Sequence, residues 1–358
     1  MKIIITSDIH CGYSGRLNDI LWSLGTMYKY ATNNGIKEII ILGDLFHNRE
    51  HISIDVLNAV FSFFESHCEV EWIAFPGNHD MFLKESWAIN SLKPLKPYVN
   101  VINSISLFEL YERRFIVIPF IYMEREYMEV LKFIESSYDE EDTILTHVGV
   151  CGAINNSCFM LKNWSVVNFN DVKFKRVFAG HYHIHQMINN KVCYPGSPLP
   201  FRFDDGMVKH GFVVFDVNDM SVEFVDIRLV GDKEGAPCDF ITISDDSVSN
   251  VDPGMCRNNR LRVVLNREYS HNELAEIKSE LMKLGAVSVT WMKNSTSLND
   301  DRFSVNHHDV ISDDMVFEKW LELVDVSQYD RELLCKLNKD IVEDAEDMFV
   351  RSMEEEHE

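Results

Sequence analysis

Five short polar clusters hold the residue types with which this chain could do chemistry: Asp8-Ile9-His10, Gly43-Asp44, Gly77-Asn78-His79-Asp80, a lone His147, and Gly180-His181-Tyr182-His183. Asp8, His10, Asp44, Asn78, His147, His181 and His183 together offer two carboxylates, one carboxamide and four imidazoles. Hard oxygen mixed with imidazole suits Mn, Fe or Zn, whereas an all-oxygen set suits Mg or Ca. The set exceeds what one ion needs. If one carboxylate is shared, two ions about 3.5–4 Å apart receive four ligands each, the arrangement used for in-line phosphoester hydrolysis. Asp44 is the expected shared carboxylate. Two such ions would lower the pKa of a shared water and offset charge on the phosphorane oxygens. Singly, each cluster has an ordinary explanation, because DxH and HxH arise by chance and a half-buried histidine usually bonds a carbonyl. Their order, each at a strand end with a glycine or turn nearby, argues for one shared site.

Elements must bring these clusters together. Lys2 to Thr6 and Glu38 to Leu42 are Ile-rich runs of the buried-strand type, separated by a helical pattern from Leu17 to Thr32 that Asn33-Asn34-Gly35 closes. A helix over Ile54 to Ser66 leads into a strand over Glu69 to Phe75. That β-α-β-α-β order makes the fold class α/β, and ligands of such sheets bind where loops leave the strand C-termini. After Tyr98 the strands shorten: a helix over Glu124 to Ser136 precedes strands at Thr143 to His147, Val177 to His183, Lys191 to Tyr194 and Gly211 to Asp216. Asn189-Asn190 and Asn218-Asp219 are expected hairpin turns. In extended chain, a two-residue spacing puts Asp8 with His10, and His181 with His183, on one face.

Residues 1–230 therefore read as the catalytic body, and the loop Gly231 to Cys238 separates it from a small α+β module over 239–293. There a strand at Arg260 to Leu265 precedes a capping box, Ser270 with Glu273, opening a helix that Gly285 closes, and Val287 to Met292 follows as a strand. Residues 294–314 read as a polar linker and 315–358 as two amphipathic helices, Met315 to Asp325 and Gln328 to Met353. Their apolar stripes either fold back on the body or bind a partner, and the preceding linker favours the partner.

The length of 358 residues allows two or three folded units, and 46% hydrophobic with 25% charged residues excludes disorder and collagen-like repeats. No window approaches the ~18 apolar residues of a membrane span, and Met1 leads straight into strand without a signal-peptide core, so the expectation is a cytoplasmic protein with no membrane. The eight cysteines contain no CxxC pair. A net charge of −23 speaks against free-standing nucleic-acid binding, but 19 acidic and 6 basic residues from Asp300 to Glu358 carry −13 of it.

Taken in order, DxH, GD, GNHD, a lone His and GHxH resemble the calcineurin-like metallophosphoesterases, over about Met1 to Asp216. The resemblance implies a four-layer α/β/β/α sandwich with a small capping domain and C-terminal helices. More narrowly, Gly43-Asp44-Leu45-Phe46-His47 and Tyr194-Pro195-Gly196-Ser197-Pro198-Leu199 resemble the SbcD branch, the nuclease subunit of SbcCD and meiotic-recombination-eleven complexes, including those of T-even phages. That branch implies a nuclease acting 3′ to 5′ on duplex ends and endonucleolytically on single strands. It implies two Mn ions, with Mg, Fe or Zn as substitutes: one on Asp8, His10, Asp44 and His183, the other on Asp44, Asn78, His147 and His181. It gives His79 the task of stabilising the transition state or protonating the leaving oxygen and sets His47 on the substrate side; Asp80, next in the chain, is expected to orient His79. His185 stays outside the ligand set. The implied partners are DNA ends and an SbcC-type coiled-coil ATPase held by the C-terminal helices, with a homodimer allowed, in a bacterial cytoplasm and compatible with a phage gene. A cyclic-nucleotide or other small-molecule phosphodiesterase is the enzyme alternative, and a non-catalytic scaffold the alternative of another class.

Overall fold

The computed structural model describes residues 1–294 apart from 14, 157–166 and 206–207, and Met1–Asn294 form one compact unit. The expected linker and the two C-terminal helices lie outside the described residues. In chain order come β1 (Lys2–Thr6), α1 (Leu17–Asn33), β2 (Glu38–Ile41), α2 (Ile54–Ser66), β3 (Glu71–Ala74), β4 (Met81–Leu83), β5 (Ser86–Asn90), β6 (Val99–Val101) and β7 (Ser106–Leu110). Next are β8 (Arg113–Ile118), α3 (Glu124–Ser137), β9 (Thr143–His147), β10 (Arg176–Gly180), β11 (Gln186–Ile188), β12 (Val192–Tyr194), β13 (Gly211–Asp216), β14 (Val222–Asp226) and α4 (Ile227–Val230). The chain continues through β15 (Phe240–Ser244), α5 (Pro253–Cys256), β16 (Arg260–Leu265), α6 (His271–Lys283) and β17 (Ser288–Lys293).

Two mixed six-stranded sheets, β14-β13-β1-β2-β3-β6 and β11-β12-β10-β9-β8-β7, stack face to face. The Ile-rich runs form central strands because both of their faces are covered. On β1, Ile3 and Ile5 enter the layer between the sheets with Phe115, Leu145 and Phe178, while Ile4 turns outward to the core under α1 and α2. On the far side, Tyr127, Leu131 and Ile134 of α3 pack on Ile116, Ile144 and Val177. The layers are therefore α/β/β/α. All pairings along β1-β2-β3 and β8-β9-β10 are parallel, so the C-terminal ends of these strands gather at one edge of the sandwich.

The module after Gly231 is a parallel sheet, β15-β16-β17, with its own core of Leu261, Val263, Leu281 and Val289. Its α6 opens on the Ser270–Glu273 capping box and ends at Gly285, whose φ of +101° a side chain would resist. Strand β15 and the short α5 add to the elements expected from the sequence. Asn189 and Asn190 make the β11–β12 turn with φ of +50° and +54°, whereas in the β13–β14 turn the left-handed residue is Met220 rather than Asn218 or Asp219.

Candidate metal centre

Apart from His147, which ends β9, the candidate ligands lie beyond the strands. β1 ends at Thr6 and β10 at Gly180, so neither Asp8 with His10 nor His181 with His183 lies on an extended strand face as the spacing suggested. Instead Asp8, His10 and Asp44 sit in the left-handed region with φ near +54°, and His181 at +112°. Such backbone is uncommon outside glycine and collects at functional sites. It turns side chains that simple alternation would spread. Main-chain bonds hold the first two loops together, from Asp8 N to Gly43 O (3.2 Å) and from His10 N to Asp44 O (3.0 Å).

The result is one cluster. His10 Nε2 and His183 Nε2 approach to 3.2 Å, and Asp8 Oδ1 lies 4.0 Å from His10 Nε2. Asn78 Oδ1 is 3.1 Å from His147 Nε2 and 3.0 Å from His181 Nδ1, and Asp44 Oδ2 is 3.4 Å from His147 Nε2. The structure thus brings together all seven residues singled out as ligands. Donor atoms of Asp8, His10 and His183 converge within 4.8 Å of one another, as do those of Asp8, Asp44 and His147. Asp8 belongs to both groupings, so it too lies between the two halves of the cluster. Gly43, Gly77 and Gly180 make this density achievable: a Cβ on Gly77 would stand 2.6 Å from Asp44 N and 2.8 Å from His147 Cε1, and one on Gly180 2.7 Å from His147 Nδ1.

The donors fit divalent cations. Asp8 Oδ1 is buried without a hydrogen-bond partner, and two imidazole nitrogens face each other across 3.2 Å, a pairing that an ion between them would satisfy. His147 Nδ1–H donates to Leu42 O at 2.7 Å, which fixes its tautomer and leaves Nε2 to face the cluster. Burial alone would raise the Asp44 carboxyl, but the neighbouring His147 overrides it and holds Asp44 far below the usual carboxylate range. Desolvation pushes His10 well down, and His181 to about 4, so both imidazoles are neutral and able to ligate at pH 7.

The calcineurin-like phosphoesterase family model matches residues 1–185, more than half of the chain. The chain belongs to the calcineurin-like phosphoesterases. It is thus a metal-dependent phosphoester hydrolase using divalent ions. Similar solved structures include the anchor in the inner membrane complex of Plasmodium, at 11% identity and TM-score 0.40, covering 66% of this chain and 90% of that one. The 5′-nucleotidase precursor of Thermus thermophilus matches at 12% and 0.36 over 66% and 55% of the two chains, and the NAD nucleotidase of Haemophilus influenzae at 11% and 0.33 over 79% and 60%. This chain therefore spans less than two thirds of either nucleotidase. No curated protein sequence matches it.

In this phosphoesterase a cavity of about 440 Å³ opens over the cluster, lined also by Tyr13, His47, His79, Asn156, Phe201 and Arg202. His79 Nδ1–H donates to the His47 carbonyl at 2.6 Å, leaving Nε2 free, and the two rings stack at 5.4 Å and 14°. Asp80 does not orient His79, contrary to expectation. Its buried carboxylate accepts from Phe46 N (2.9 Å), Gly77 N (3.1 Å), Leu45 N (3.3 Å) and Ser91 Oγ (3.1 Å), pinning the Asp44 loop to the Asn78 loop. His185 takes no part in the cluster, donating to Tyr194 O and stacking on Phe224 at 4.2 Å.

Two supports of His183 went unread in the sequence. Asn156 Oδ1 accepts from His183 N at 2.7 Å, and Asp205 Oδ2 lies 3.7 Å from His183 Nδ1 while accepting from Phe201 N at 3.1 Å. Both come from irregular loops without a motif. The Pro195-Gly196-Ser197 turn is the third support: Ser197 N donates to His183 O at 3.0 Å, and a Cβ on Gly196 would strike that same carbonyl at 2.6 Å.

Proposed function

We propose that the chain is a two-metal DNA phosphodiesterase, the nuclease subunit of an SbcCD-type end-processing complex, with Mn as the working metal. Asp8, His10, Asp44 and His183 would hold one ion and Asp44, Asn78, His147 and His181 the other. When bound, the ions supply Lewis-acid polarisation of the phosphoryl oxygens and acidify water.

The chain's own residues supply the rest. His79, locked by the His47 carbonyl, presents Nε2 to the cavity and is placed to protonate a leaving oxygen or share its charge. His47, half-buried beside it and lowered by desolvation and by His79, adds a neutral imidazole on the substrate side. Left-handed backbone at Asp8, His10 and Asp44 and the Asp80 cage hold these groups before substrate arrives.

What supports DNA over a small phosphodiester is the module after Gly231. It lays Phe240 edge-on against Phe203 at 5.0 Å and Arg262 on Asp204 at 2.9 Å, bracing the loop that carries Phe201 into the cavity wall. A small substrate has no need of a second folded core beside its site, whereas a polymer needs surface on both sides. Phosphate contacts position a strand without reading its bases, so cleavage should be largely indifferent to sequence. The acidity of the chain fits weak intrinsic DNA affinity, with an ATPase partner bound through residues 315–358 supplying the basic track.

The deciding experiment offers the purified protein with Mn to duplex DNA, single-stranded DNA, cyclic nucleotides and bis-p-nitrophenyl phosphate. Degradation of both DNA forms is the expected result. Turnover of cyclic nucleotides with DNA left intact would replace this reading by the small-molecule one.

A further inference from the structure

Beyond the metal centre, two further depressions are linked to it one after the other by shared lining residues. His181, a proposed ligand, lines both the site cavity and a neighbouring one of about 500 Å³. Phe120, Ile121 and Tyr122 line that second cavity and also a third, of about 560 Å³, under the β4–β5 hairpin. The Phe120 ring lies near-parallel to His181, 6.3 Å away at 26°. Its backbone is tied at both ends of the path: Phe120 N donates to Pro76 O in the Asn78 loop at 3.2 Å, and Trp87 Nε1 donates to Phe120 O at 2.7 Å. The third groove is thus registered to the metal site through one residue.

Its lining is unusual for so acidic a chain. Lys84, Lys93 and Lys96 surround the half-buried Trp87, opposed by Glu85 and Glu126, and Lys84 Nζ stands 4.9 Å from the ring centre of Tyr122, which is 47% exposed. Aromatic faces set among ammonium groups are the recognition chemistry of unstacked nucleotides, in which each base has a π-face and each phosphate a charge. A duplex keeps its base faces inside the stack and could not use Trp87 or Tyr122. A protein partner is disfavoured by the lysines, which are depleted at the centres of protein interfaces.

We propose that this groove binds a segment of single-stranded DNA whose scissile phosphate lies at the metal centre, the strand passing His181 and Phe120 on its way to Trp87 and Tyr122. The inference rests on the nuclease reading and extends it by giving the single strand a track of its own.

The test measures binding of a fluorescent oligothymidylate in chelator, where the strand is not cut, to the full chain and to Tyr122→Ala and Lys84→Ala/Lys96→Ala. Both variants are expected to bind the strand about 10-fold more weakly. The double variant should also show a log–log salt slope smaller by about 1.4, about 0.7 for each lost phosphate contact. Blunt duplex affinity should change less than about twofold in both, since a duplex keeps its base faces inside the stack and is not expected to follow this track. Ultraviolet cross-linking of a bromodeoxyuridine strand to the wild-type chain needs no variant, and its adduct is expected on the peptide holding Trp87. Equal strand affinity in wild type and variants, or adducts confined to other peptides, overturns the inference while leaving the nuclease reading intact. Failure of the wild-type chain to bind either DNA sinks the nuclease reading and the groove with it.

Discussion

His10 Nε2 and His183 Nε2, from loops 173 residues apart, meet at 3.2 Å in a buried site, with the unpartnered Asp8 Oδ1 4.0 Å from the first. The two rings can bond each other, but Asp8 Oδ1 keeps no partner, and a cation held by all three would satisfy it, which ties metal binding to the protein's stability as well as its chemistry.

Removing metal with a chelator should therefore abolish phosphodiesterase activity and lower the melting temperature. Saturating Mn to about 100 times its dissociation constant should return about 2.7 kcal/mol of stability for each ion bound. Mg should restore less activity, because four imidazoles among the donors make a poor Mg site. Full activity in Mg alone would count against the ligand assignment.

His79 reaches the cavity through Nε2, while its Nδ1 is occupied by the His47 carbonyl. His79→Ala should keep near wild-type Mn binding by calorimetry and lose about 100- to 1,000-fold in turnover. Cleavage of DNA at the wild-type rate would remove His79 from the mechanism.

Asp80→Ala has a different signature. It strips the acceptor from three main-chain amides and the Ser91 hydroxyl in a fully buried position. Orphaned buried donors cost about 1–3 kcal/mol each, softened by relaxation, so a loss of about 3 kcal/mol in urea unfolding is expected. Metal affinity should fall too, since the Asp44 and Asn78 loops lose their tie. Unchanged stability would show that water replaces the carboxylate without cost.

Much of this site was legible in the sequence, and the limits are instructive. Thr143–His147 and Ile54–Ser66 could be read to the residue because continuous or 3.6-period apolar patterns report burial directly. That the seven candidate residues would meet was legible because each motif pairs a side chain able to bind metal with a glycine or turn. How the chain bends at Asp8, His10 and His181 was not, since left-handed backbone at non-glycine residues has no periodic signal and follows from tertiary bonds such as Asp8 N to Gly43 O. Asn156 and Asp205 escaped for the same reason: their partners are set by loops that meet only in three dimensions.

The expected partner surface on residues 315–358 has its own test. A chain ending at Asn294, which retains the compact unit, should hydrolyse bis-p-nitrophenyl phosphate like the full chain and lose co-purification with the ATPase. Unfolding of the shortened chain would instead assign residues 315–358 to its own core, and unchanged ATPase binding would move the docking surface elsewhere.

The most direct measurement is metal stoichiometry. Mn titrated calorimetrically into the metal-free protein, with elemental analysis of the dialysed product, should give two ions per chain, and Asp44→Ala should hold fewer with phosphodiesterase activity lost. A single ion in the wild-type chain, or an Asp44→Ala protein that keeps both ions and full activity, would contradict a two-metal centre built on Asp44.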